Sequence, residues 1–264
     1  MNAKATLFRS LHHGPKILVL PNAWDAASAR IFEVAGFPAI ATTSAGVANA
    51  LGYADGQSIT RDEMLRQVAV VARSVNVPVT ADVESGYDDP ALTARLLWQI
   101  GVVGLNLEDQ VGGALLPVDE AAARVTAVRE AAPEIVINAR TDVYLFSVGP
   151  EETRFERTVE RMVAYGAAGA DCIFVPGVTG EQLISGLVRT AGRPINILAV
   201  KDAPPVQRLQ ELGVARVSTG SGPMRATMRT VQKIAAELRD QGTYSTFTDD
   251  TMSYQDANRL FLKE

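Results

Sequence analysis

Short apolar runs recur along the chain, and each is followed by a polar loop and then by a segment whose apolar residues have helical spacing. Eight such runs stand out, at residues 16–21, 39–44, 77–83, 104–109, 135–141, 172–177, 195–200 and 216–220. The runs are rich in β-branched residues and nearly continuously apolar, which is typical of parallel strands covered on both faces. The pattern therefore predicts eight parallel strands that alternate with helices.

Several of the predicted helices end in the same way, with a glycine and then an apolar residue before the next strand. Four sites show this ending: Gly36, Gly101, Gly166 and Gly213. Glycine adopts the left-handed conformation that turns a helix back toward a strand. Eight units predict an α/β fold of the (β/α)8 TIM-barrel type, which usually needs about 250 residues. A doubly wound open sheet is the alternative, but the loop after the first strand has no glycine-rich dinucleotide fingerprint.

The chain divides into two regions. Residues 1–241 hold the eight units and form the predicted catalytic barrel, whereas residues 242–264 are a polar linker followed by a short amphipathic segment predicted to be helical. Such a C-terminal extension is either a frayed end or an arm that packs on a neighbouring subunit. The hydrophobic content of 47% is ample for a full core.

Charge and hydropathy limit the partners. The net charge is −5 and no run of Lys and Arg occurs, so we expect no binding to nucleic acid. No segment approaches the roughly 18 consecutive apolar residues of a membrane span, and the N-terminal residues lack the apolar stretch of a signal peptide. We therefore expect no membrane association and a cytoplasmic location. The single cysteine, Cys172, lies within a predicted strand and is expected to be a small core residue.

Acidic residues follow the first five predicted strands. They are Asp25, Asp55, Asp82 with Glu84, Glu108 with Asp109, and Asp142 beside Arg140. In a barrel these strand ends meet at the face that carries catalytic groups. Asp82 and Glu84 are two residues apart, so on an extended strand their side chains point the same way, which is costly unless a cation lies between them.

A metal ion is the expected cation. Carboxylates without nearby His or Cys favour hard ions such as Mg²⁺ or Mn²⁺, and Asp82, Glu84 and Glu108 are the predicted ligands because they end adjacent strands. The histidines, His12 and His13, precede the first strand, so a histidine triad or a zinc site is not expected. Three other acids stand just before predicted helices and are expected to be helix caps or solvated loop carboxylates: Asp88, Asp89 and Asp119.

The order of these segments resembles that of a known family. The matching segments are LPNAWDAASARIFEVAGFPAIATTSAGVANALGYADG, TADVESGYDD, GLNLEDQ, INARTDVYL and YGAAGADCIFVPG, which span most of the chain. Together they resemble the isocitrate lyase and phosphoenolpyruvate mutase superfamily. The resemblance implies a (β/α)8 barrel that forms dimers or tetramers with an exchanged C-terminal helix. It also implies binding of Mg²⁺ with a 2-oxo or 2-hydroxy carboxylate, and the making or breaking of C–C or P–C bonds.

The resemblance implies a metal site and catalytic groups. Asp82, Glu84 and Glu108 match the metal-site acids, and Asp55 matches an acid that reaches the metal through water. By the same resemblance, Asp82 is also expected to contact the substrate. The expected catalytic residues are Asp55, Glu108 and Arg140. Mg²⁺ would polarise a 2-oxo group and stabilise a pyruvate-type enolate, while Arg140 neutralises the remaining carboxylate.

Further substrate contacts follow from the same resemblance. Thr43, Ser44 and Ala45 match the segment whose amides and hydroxyl hold the substrate carboxylate. Arg140 matches the arginine that pairs with the substrate, and Asn196 matches a substrate contact after the seventh strand. These assignments make a small 2-oxo or 2-hydroxy carboxylate the expected partner.

The chain departs from the family in one loop. The lyases carry a Lys, Cys, Gly, His run after the fourth strand and the phosphonate enzymes carry Lys and Asn there, whereas this chain reads EDQVGGALLPVDE. The missing acid argues against the isocitrate and methylisocitrate lyase reactions and against P–C chemistry. Gly112 and Gly113 would still let residues 110–118 close over the site. Such a loop suits a reaction that needs only enolate stabilisation, such as 2-oxo acid decarboxylation or a retro-aldol step with water as the acid.

Three alternatives to a Mg²⁺-dependent C–C lyase remain. The first is a P–C bond enzyme of the phosphonopyruvate hydrolase or phosphoenolpyruvate mutase type. The second is a Schiff-base aldolase that uses Lys201, which directly follows the seventh strand, with STGSGPMRA as a phosphate seat. The third is a barrel that binds oxo acids without turnover. Arg140 also has an alternative role, a structural salt bridge to Asp142 or Glu108.

Overall fold

The structure, a computed structural model, describes residues 2–56 and 59–262. Its eight main strands are β1 (Leu18–Leu20), β3 (Ile40–Thr42), β4 (Val79–Asp82), β5 (Gly104–Glu108), β8 (Val136–Arg140), β9 (Cys172–Phe174), β10 (Ile195–Leu198) and β11 (Arg216–Ser218). Each lies within one of the eight apolar runs, so the predicted strands are confirmed. Three two-residue strands are also described: β2 (Asn22–Ala23), β6 (Gln110–Val111) and β7 (Ala114–Leu115).

The main strands form one parallel sheet that curves round on itself. Its order is β1-β11-β10-β9-β8-β5-β4-β3-β2. β1 pairs with β11 and β2 pairs with β3, while only Pro21 separates β1 from β2 along the chain. The first strand region therefore joins both edges of the sheet into a barrel. A doubly wound sheet would reverse its strand order part-way, so the predicted TIM-barrel class is confirmed.

Helices form the outer layer and the two ends of the chain. They are α1 (Ala3–Leu11), α2 (Ala26–Val34), α3 (Ser44–Ala50), α4 (Arg61–Ser74), α5 (Pro90–Gln99), α6 (Val118–Ala131), α7 (Glu151–Ala167), α8 (Glu181–Ala191), α9 (Val206–Glu211), α10 (Gly222–Asp240) and α11 (Tyr254–Arg259), with a 3₁₀ turn at Ser245–Phe247. Neither α10 nor any other helix in the described residues is long and apolar enough to cross a membrane.

Glycines end the helices largely as predicted. Gly36, Gly101 and Gly213 have φ values of 91°, 85° and 85°, so each adopts the left-handed conformation. The prediction for Gly166 is wrong, because α7 continues through it and Gly169, with φ of 107°, follows the helix end. Close packing accounts for glycine at 166, since a Cβ there would lie 3.3 Å from Cγ of Arg193.

The N-terminal helix α1 covers one end of the barrel. Its buried residues, Ala5 and Phe8, pack with residues at the starts of strands, including Leu18 and Val136. Gly104 makes room for this packing, because a Cβ there would lie 2.7 Å from Cε1 of Phe8. Strand starts define the N-terminal face of a barrel, so α1 lies at the end opposite the acidic strand termini.

The residues after α10 form the predicted C-terminal extension. Glu237, near the end of α10, accepts hydrogen bonds from the amides of Ser245 and Thr246, both at 2.8 Å. The carbonyl of Leu260 accepts a bond from Nε of Arg30 in α2 at 2.6 Å, which ties the last described residues back to the barrel. The boundary at residue 241 and the packing of this arm on a neighbouring subunit stay predictions.

Candidate active site

Three of the predicted site residues end neighbouring strands. Asp82 is the last residue of β4, Glu108 the last of β5 and Arg140 the last of β8. The strand register places Glu108 beside Arg140, and Asp82 beside Asn106 of β5. Asp82 and Glu108 are each only 8% exposed. The structure therefore brings these charges together where water solvates them poorly.

Asp82 is oriented by the chain at the end of β3. Its Oδ2 accepts hydrogen bonds from the amide of Ser44 at 3.1 Å and from Oγ of Ser44 at 2.9 Å. The amide of Asp82 donates to Oγ1 of Thr42 at 3.0 Å. The other carboxylate oxygen, Oδ1, is buried and has no hydrogen-bond partner within the described residues. Leaving such an atom unsatisfied costs roughly 1–3 kcal/mol, so Oδ1 is suited to bind a cation or a water molecule.

Arg140 pairs with two acids. Its Nη1 donates to Oε1 of Glu108, and its Nε donates to Oδ1 of Asp142 at 2.6 Å. The guanidinium carbon lies 5.8 Å from the centre of the Phe174 ring. Burial opposes the charged form, but Glu108 and Asp142 outweigh burial and raise the pKa of Arg140. Arg140 is therefore a permanent cation, and the salt bridges considered as its alternative role are present in the structure.

Arg140 does not balance all the acids around it. Burial raises the pKa of Glu108 well above its ordinary value of 4.5, and Arg140 opposes this rise. The negative charges of Asp82, Asp142 and Glu84 raise the same pKa further. Burial likewise raises the pKa of Asp142 in spite of its bond to Arg140. The cluster thus carries an excess of negative charge, which a bound cation would relieve.

The loop after β4 has an unusual backbone. Glu84 and Tyr87 have φ values of 55° and 65°, in the left-handed region that residues other than glycine seldom adopt. The expectation that Asp82 and Glu84 share one extended strand is therefore wrong, because β4 ends at Asp82. Glu84 is 6% exposed, and its carbonyl accepts a bond from the Glu108 amide at 2.8 Å. Strain of this kind costs about 1–3 kcal/mol per residue and concentrates at functional sites.

Asp55 approaches the cluster from the loop before α4. Although the residue is exposed, desolvation of its carboxyl group and the charge of Asp82 raise its pKa, while Arg140 lowers it. Within residues 2–56 and 59–262, no three His, Cys, Asp or Glu side chains are arranged to hold one ion directly. A metal site formed by Asp82, Glu84 and Glu108 therefore stays a prediction, and it requires bridging water or side-chain movement.

Asp109 belongs to a separate buried network, although sequence reasoning placed it on the acidic rim. Its Oδ2 accepts hydrogen bonds from Nη1 of Arg161 at 2.9 Å and from the hydroxyl of Tyr165 at 2.7 Å. Glu108, the last residue of β5, pairs with Arg140, whereas the next residue, Asp109, bonds to two side chains of α7. Neither Arg161 nor Tyr165 was among the predicted site residues. The available signal was their spacing of four residues, which places them on one helix face.

Other predicted acids have structural roles. Asp25 caps α2 through a capping box, and Asp89 caps α5 as predicted. Asp88 is a solvated loop carboxylate, which the prediction also allowed, since its side chain is 85% exposed and pairs with Arg61. The prediction is wrong for Asp119, because α6 begins one residue earlier and Asp119 lies in its first turn. An acid there still favours the helix, since the helix dipole is positive at its N-terminus.

The predicted substrate contacts lie in two places. Thr43 caps α3, and Ser44 and Ala45 form the first turn of that helix, next to Asp82. Asn196 is fully buried in β10, where its Nδ2 donates to Oγ of Ser218 at 3.1 Å. The first group therefore borders the acid cluster, whereas contact between Asn196 and a substrate stays a prediction.

The residues of the competing chemistries are placed as follows. Lys201 is exposed in the turn after β10. Cys172 is fully buried, and burial raises the pKa of its thiol to about 12, so the thiol is neutral and its predicted place in the core is confirmed. His12, the residue directly after α1, is buried, and burial lowers its pKa to about 3, so it is uncharged at neutral pH.

Comparison with known proteins identifies the family. Residues 8–239 match the family model described as phosphoenolpyruvate phosphomutase. The chain belongs to the phosphoenolpyruvate phosphomutase family. An uncharacterized protein of Mycobacterium tuberculosis H37Rv is 37% identical over 234 residues, which cover 88% of this chain and 89% of that protein. The 2,3-dimethylmalate lyase of Eubacterium barkeri is 32% identical over 197 residues, which cover 69% of this chain and 66% of that enzyme.

Solved structures support the same family and fold. A protein of Burkholderia cenocepacia J2315, provisionally named a lyase/mutase, has a TM-score of 0.91 at 35% identity and covers 98% of this chain and 96% of its own. A 2,3-dimethylmalate lyase, named as a member of the phosphoenolpyruvate mutase and isocitrate lyase superfamily, has a TM-score of 0.86 at 28% identity. It covers 98% of this chain and 95% of its own. The resemblance drawn from the sequence is confirmed, and the named relatives are lyases and mutases of small carboxylates.

Proposed function

We propose that the protein is a Mg²⁺-dependent lyase that cleaves or forms a C–C bond in a small 2-oxo or 2-hydroxy carboxylate through a pyruvate-type enolate. The observation that carries the proposal is the excess of buried carboxylates, Asp82, Glu84 and Glu108, around Arg140. Relatives that are lyases of small carboxylates support the type of reaction. Mn²⁺ is a chemically equivalent ion for such oxygen ligands.

The residues present fit a hard divalent ion. Every acid offers oxygen atoms, and Oδ1 of Asp82 is buried without a partner in the described residues. Mg²⁺ usually keeps several water molecules and takes only one or two carboxylates directly. That preference agrees with a cluster in which the described acids do not converge on one point. Asp82, Glu84 and Glu108 would hold the ion directly or through water, and Asp55 would contact it through water.

The chain's own residues would bind and orient the substrate. When bound, the ion would supply the Lewis acidity that polarises a 2-oxo or 2-hydroxy oxygen. Arg140 would pair with a substrate carboxylate, because a planar guanidinium offers two parallel N–H donors to such a group. The first turn of α3, at Thr43, Ser44 and Ala45, would hold the same carboxylate with its amides, while Ser44 keeps Asp82 in place.

The loop after β5 would provide apolar cover for the site without supplying an acid. Residues 110–115 form the hairpin β6–β7, which turns at Gly112 and Gly113 with φ values of 58° and 86°. Residues 110–118 contain no Lys, Cys or His. The proton that converts the enolate to product would therefore come from water, as a reaction limited by enolate stabilisation permits.

Calorimetry of Mg²⁺ binding tests this function. Glu108→Gln keeps the size of the side chain but removes its charge, so Mg²⁺ affinity should fall about tenfold or more, and turnover should fall with it while the protein stays folded. Glu120→Gln changes an exposed acid in α6 and should leave both unchanged. Wild-type Mg²⁺ affinity in Glu108→Gln would remove Glu108 from the site. A crystal soaked with Mg²⁺ and oxaloacetate or pyruvate would then show which atoms hold the ion.

A P–C bond enzyme is the second candidate, because the matching family model is described as a phosphomutase. The two functions differ in the bond that breaks. Phosphorus NMR of phosphonopyruvate with enzyme and Mg²⁺ would show a new phosphate or phosphoester signal if the P–C bond reacts. We expect the phosphonopyruvate signal to persist, because the loop lacks the Lys and Asn of the phosphonate enzymes.

A further inference from the structure

The buried network around Asp109 contains two side chains of α7. Nη1 of Arg161 donates to Oδ2 of Asp109 at 2.9 Å and to the hydroxyl of Tyr165 at 3.0 Å, and that hydroxyl donates to Oδ2 at 2.7 Å. Asp109 is 2% exposed and Arg161 is 9% exposed. A buried carboxylate depends strongly on its cation, because removing one partner leaves an uncompensated charge.

The same network leads directly to Arg140. The other oxygen of Asp109, Oδ1, accepts a hydrogen bond from the amide of Asp142 at 3.0 Å. Asp142 in turn accepts the bond from Nε of Arg140 at 2.6 Å. The amide of Asp109 also donates to the carbonyl of Arg140 at 3.1 Å. Arg161 is therefore joined to the Arg140 guanidinium by three consecutive side-chain or amide contacts.

Arg161 also holds the base of the hairpin. Its Nη2 donates to the carbonyl of Leu116 at 2.8 Å, and the amide of Leu116 donates to the carbonyl of Asp109 at 2.8 Å. One guanidinium thus contacts both Asp109, next to Glu108, and Leu116, the first residue after the hairpin. A lysine has one nitrogen and cannot reproduce this two-sided contact.

We propose that Arg161 is a positioning residue that fixes the direction of the Arg140 guanidinium through Asp109 and Asp142, and that ties the end of the β6–β7 hairpin to the same strand end. This role rests on the proposed function, in which Arg140 pairs with the substrate carboxylate. The simpler possibility is that Arg161 only joins α7 to the barrel. The two possibilities differ in whether loss of Arg161 is felt specifically at Asp142 and Arg140.

Hydrogen exchange without any ligand tests the first half of the proposal. Arg161→Lys keeps the positive charge but loses the planar guanidinium group with its several N–H donors. The amide hydrogen of Asp142 should then exchange with solvent about tenfold faster than in the wild type. The NMR signal of the Arg140 side-chain Nε–H should shift as well. Arg157→Lys, one turn earlier and exposed on the same helix, is the matched control and should change neither. Tyr165→Phe keeps Arg161 and should give a smaller effect of the same kind.

An Asp142 amide and an Arg140 signal that are unchanged in folded Arg161→Lys would overturn the proposal. If Arg161→Lys does not fold, Tyr165→Phe decides, because it deletes a single hydroxyl of the network. A wild-type exchange rate of the Asp142 amide in Tyr165→Phe would then count against the positioning role of Arg161.

A double-mutant cycle tests the link to ligand binding, with oxalate as the probe because it mimics a pyruvate-type enolate. In the presence of Mg²⁺, Arg161→Lys should weaken oxalate binding about tenfold in the wild-type background and less than about twofold in an Arg140→Lys background. An equal loss in both backgrounds would show that Arg161 does not act through Arg140. Failure of the wild type to bind oxalate would count against the proposed function, whereas the exchange at Asp142 would still decide the role of Arg161.

Discussion

At the scale of single residues, the charge on Glu108 links stability to pH. Burial raises the pKa of Glu108 above its ordinary value of 4.5, and the pKa values of Asp142 and Asp55 are raised as well. Above the ordinary values, these three groups therefore bind more protons in the folded protein than in the unfolded chain. Their contribution to the unfolding free energy must then fall as pH rises through the interval between the unfolded and folded pKa values.

Chemical unfolding of metal-free protein at several pH values checks this prediction. With a chelator present, the contribution of Glu108 is the unfolding free energy of the wild type minus that of Glu108→Gln, and it should decrease from about pH 4.5 toward neutrality, starting at the ordinary pKa of a glutamate. His12, whose lowered pKa acts in the opposite direction, is common to both proteins and cancels in the difference. Added Mg²⁺ should reduce the decrease by compensating the acids. A difference that rises over this interval would contradict the charge excess described for the site.

Cys172 gives a second prediction at this scale. Cys172→Ala removes a fully buried sulfur atom from β9, so it should cost about 1 kcal/mol of stability through lost packing. Turnover should be nearly intact, because burial keeps the thiol neutral and away from solvent. Denaturant unfolding and a steady-state assay measure the two effects. A folded variant without turnover would show that thiol chemistry had been wrongly excluded.

Which residues gather at the site was predictable only in part. Asp82, Glu108 and Arg140 end adjacent strands, and strand order alone brings such positions together. Asp109 bonds to Arg161 and Tyr165, which lie 52 and 56 residues away in the chain. The spacing of these two residues places them on one helix face, but which strand end that face contacts depends on tertiary packing.

At the scale of elements, the short helix α1 contributes strongly to the packing at one end of the barrel. Phe8 is fully buried under the barrel, and its ring lies 6.0 Å from the guanidinium carbon of the buried Arg216. Phe8→Ala should cost about 3–5 kcal/mol, because the truncation leaves a cavity in a closed layer. Leu7→Ala, at a neighbouring position that is 47% exposed, should cost within about 0.5 kcal/mol. Equal costs in denaturant unfolding would contradict the covering role of α1.

Elements were predictable where the apolar pattern is long and repeated. All eight main strands lie inside predicted runs, because a strand buried on both faces needs continuous apolar residues. Helix α1 has only nine residues and its buried face consists of Ala5 and Phe8, so no periodic pattern marked it. The hairpin strands β6 and β7 have two residues each, too few for any periodicity to appear. The helix end predicted at Gly166 was wrong because Gly166 and Gly169 stand close together in the sequence, and only the packing in the structure distinguishes them.

At the scale of the whole molecule, closure of the barrel creates the acid cluster. β4, β5 and β8 are far apart in sequence, and their carboxyl ends meet only because parallel pairing continues around one sheet. The sequence predicted this architecture from the count and spacing of runs. It did not predict the strained turn at Glu84. A salt bridge of Arg140 to Asp142 or Glu108 was predicted only as an alternative role, since whether Arg140 reaches both acids depends on exact distances between strand ends.

The last prediction separates the metal-dependent lyase from a Schiff-base enzyme, because each stabilises a carbanion beside a carbonyl in a different way. A chelator should abolish turnover of a 2-oxo acid such as oxaloacetate, and Mg²⁺ or Mn²⁺ should restore it. Borohydride added with the substrate should trap no adduct on Lys201, which is exposed in a turn while the buried acids lie at the strand ends.

Lys201→Ala should therefore keep most of the activity, as should Lys233→Ala, a control at an exposed position of α10. Mass spectrometry of the reduced protein and a steady-state assay make both comparisons. Activity that survives chelation, together with a reduced substrate adduct on Lys201, would overturn the metal-dependent function. The carboxylates around Asp82 would then need another partner for their charge, because burial without a cation leaves them at a high electrostatic cost.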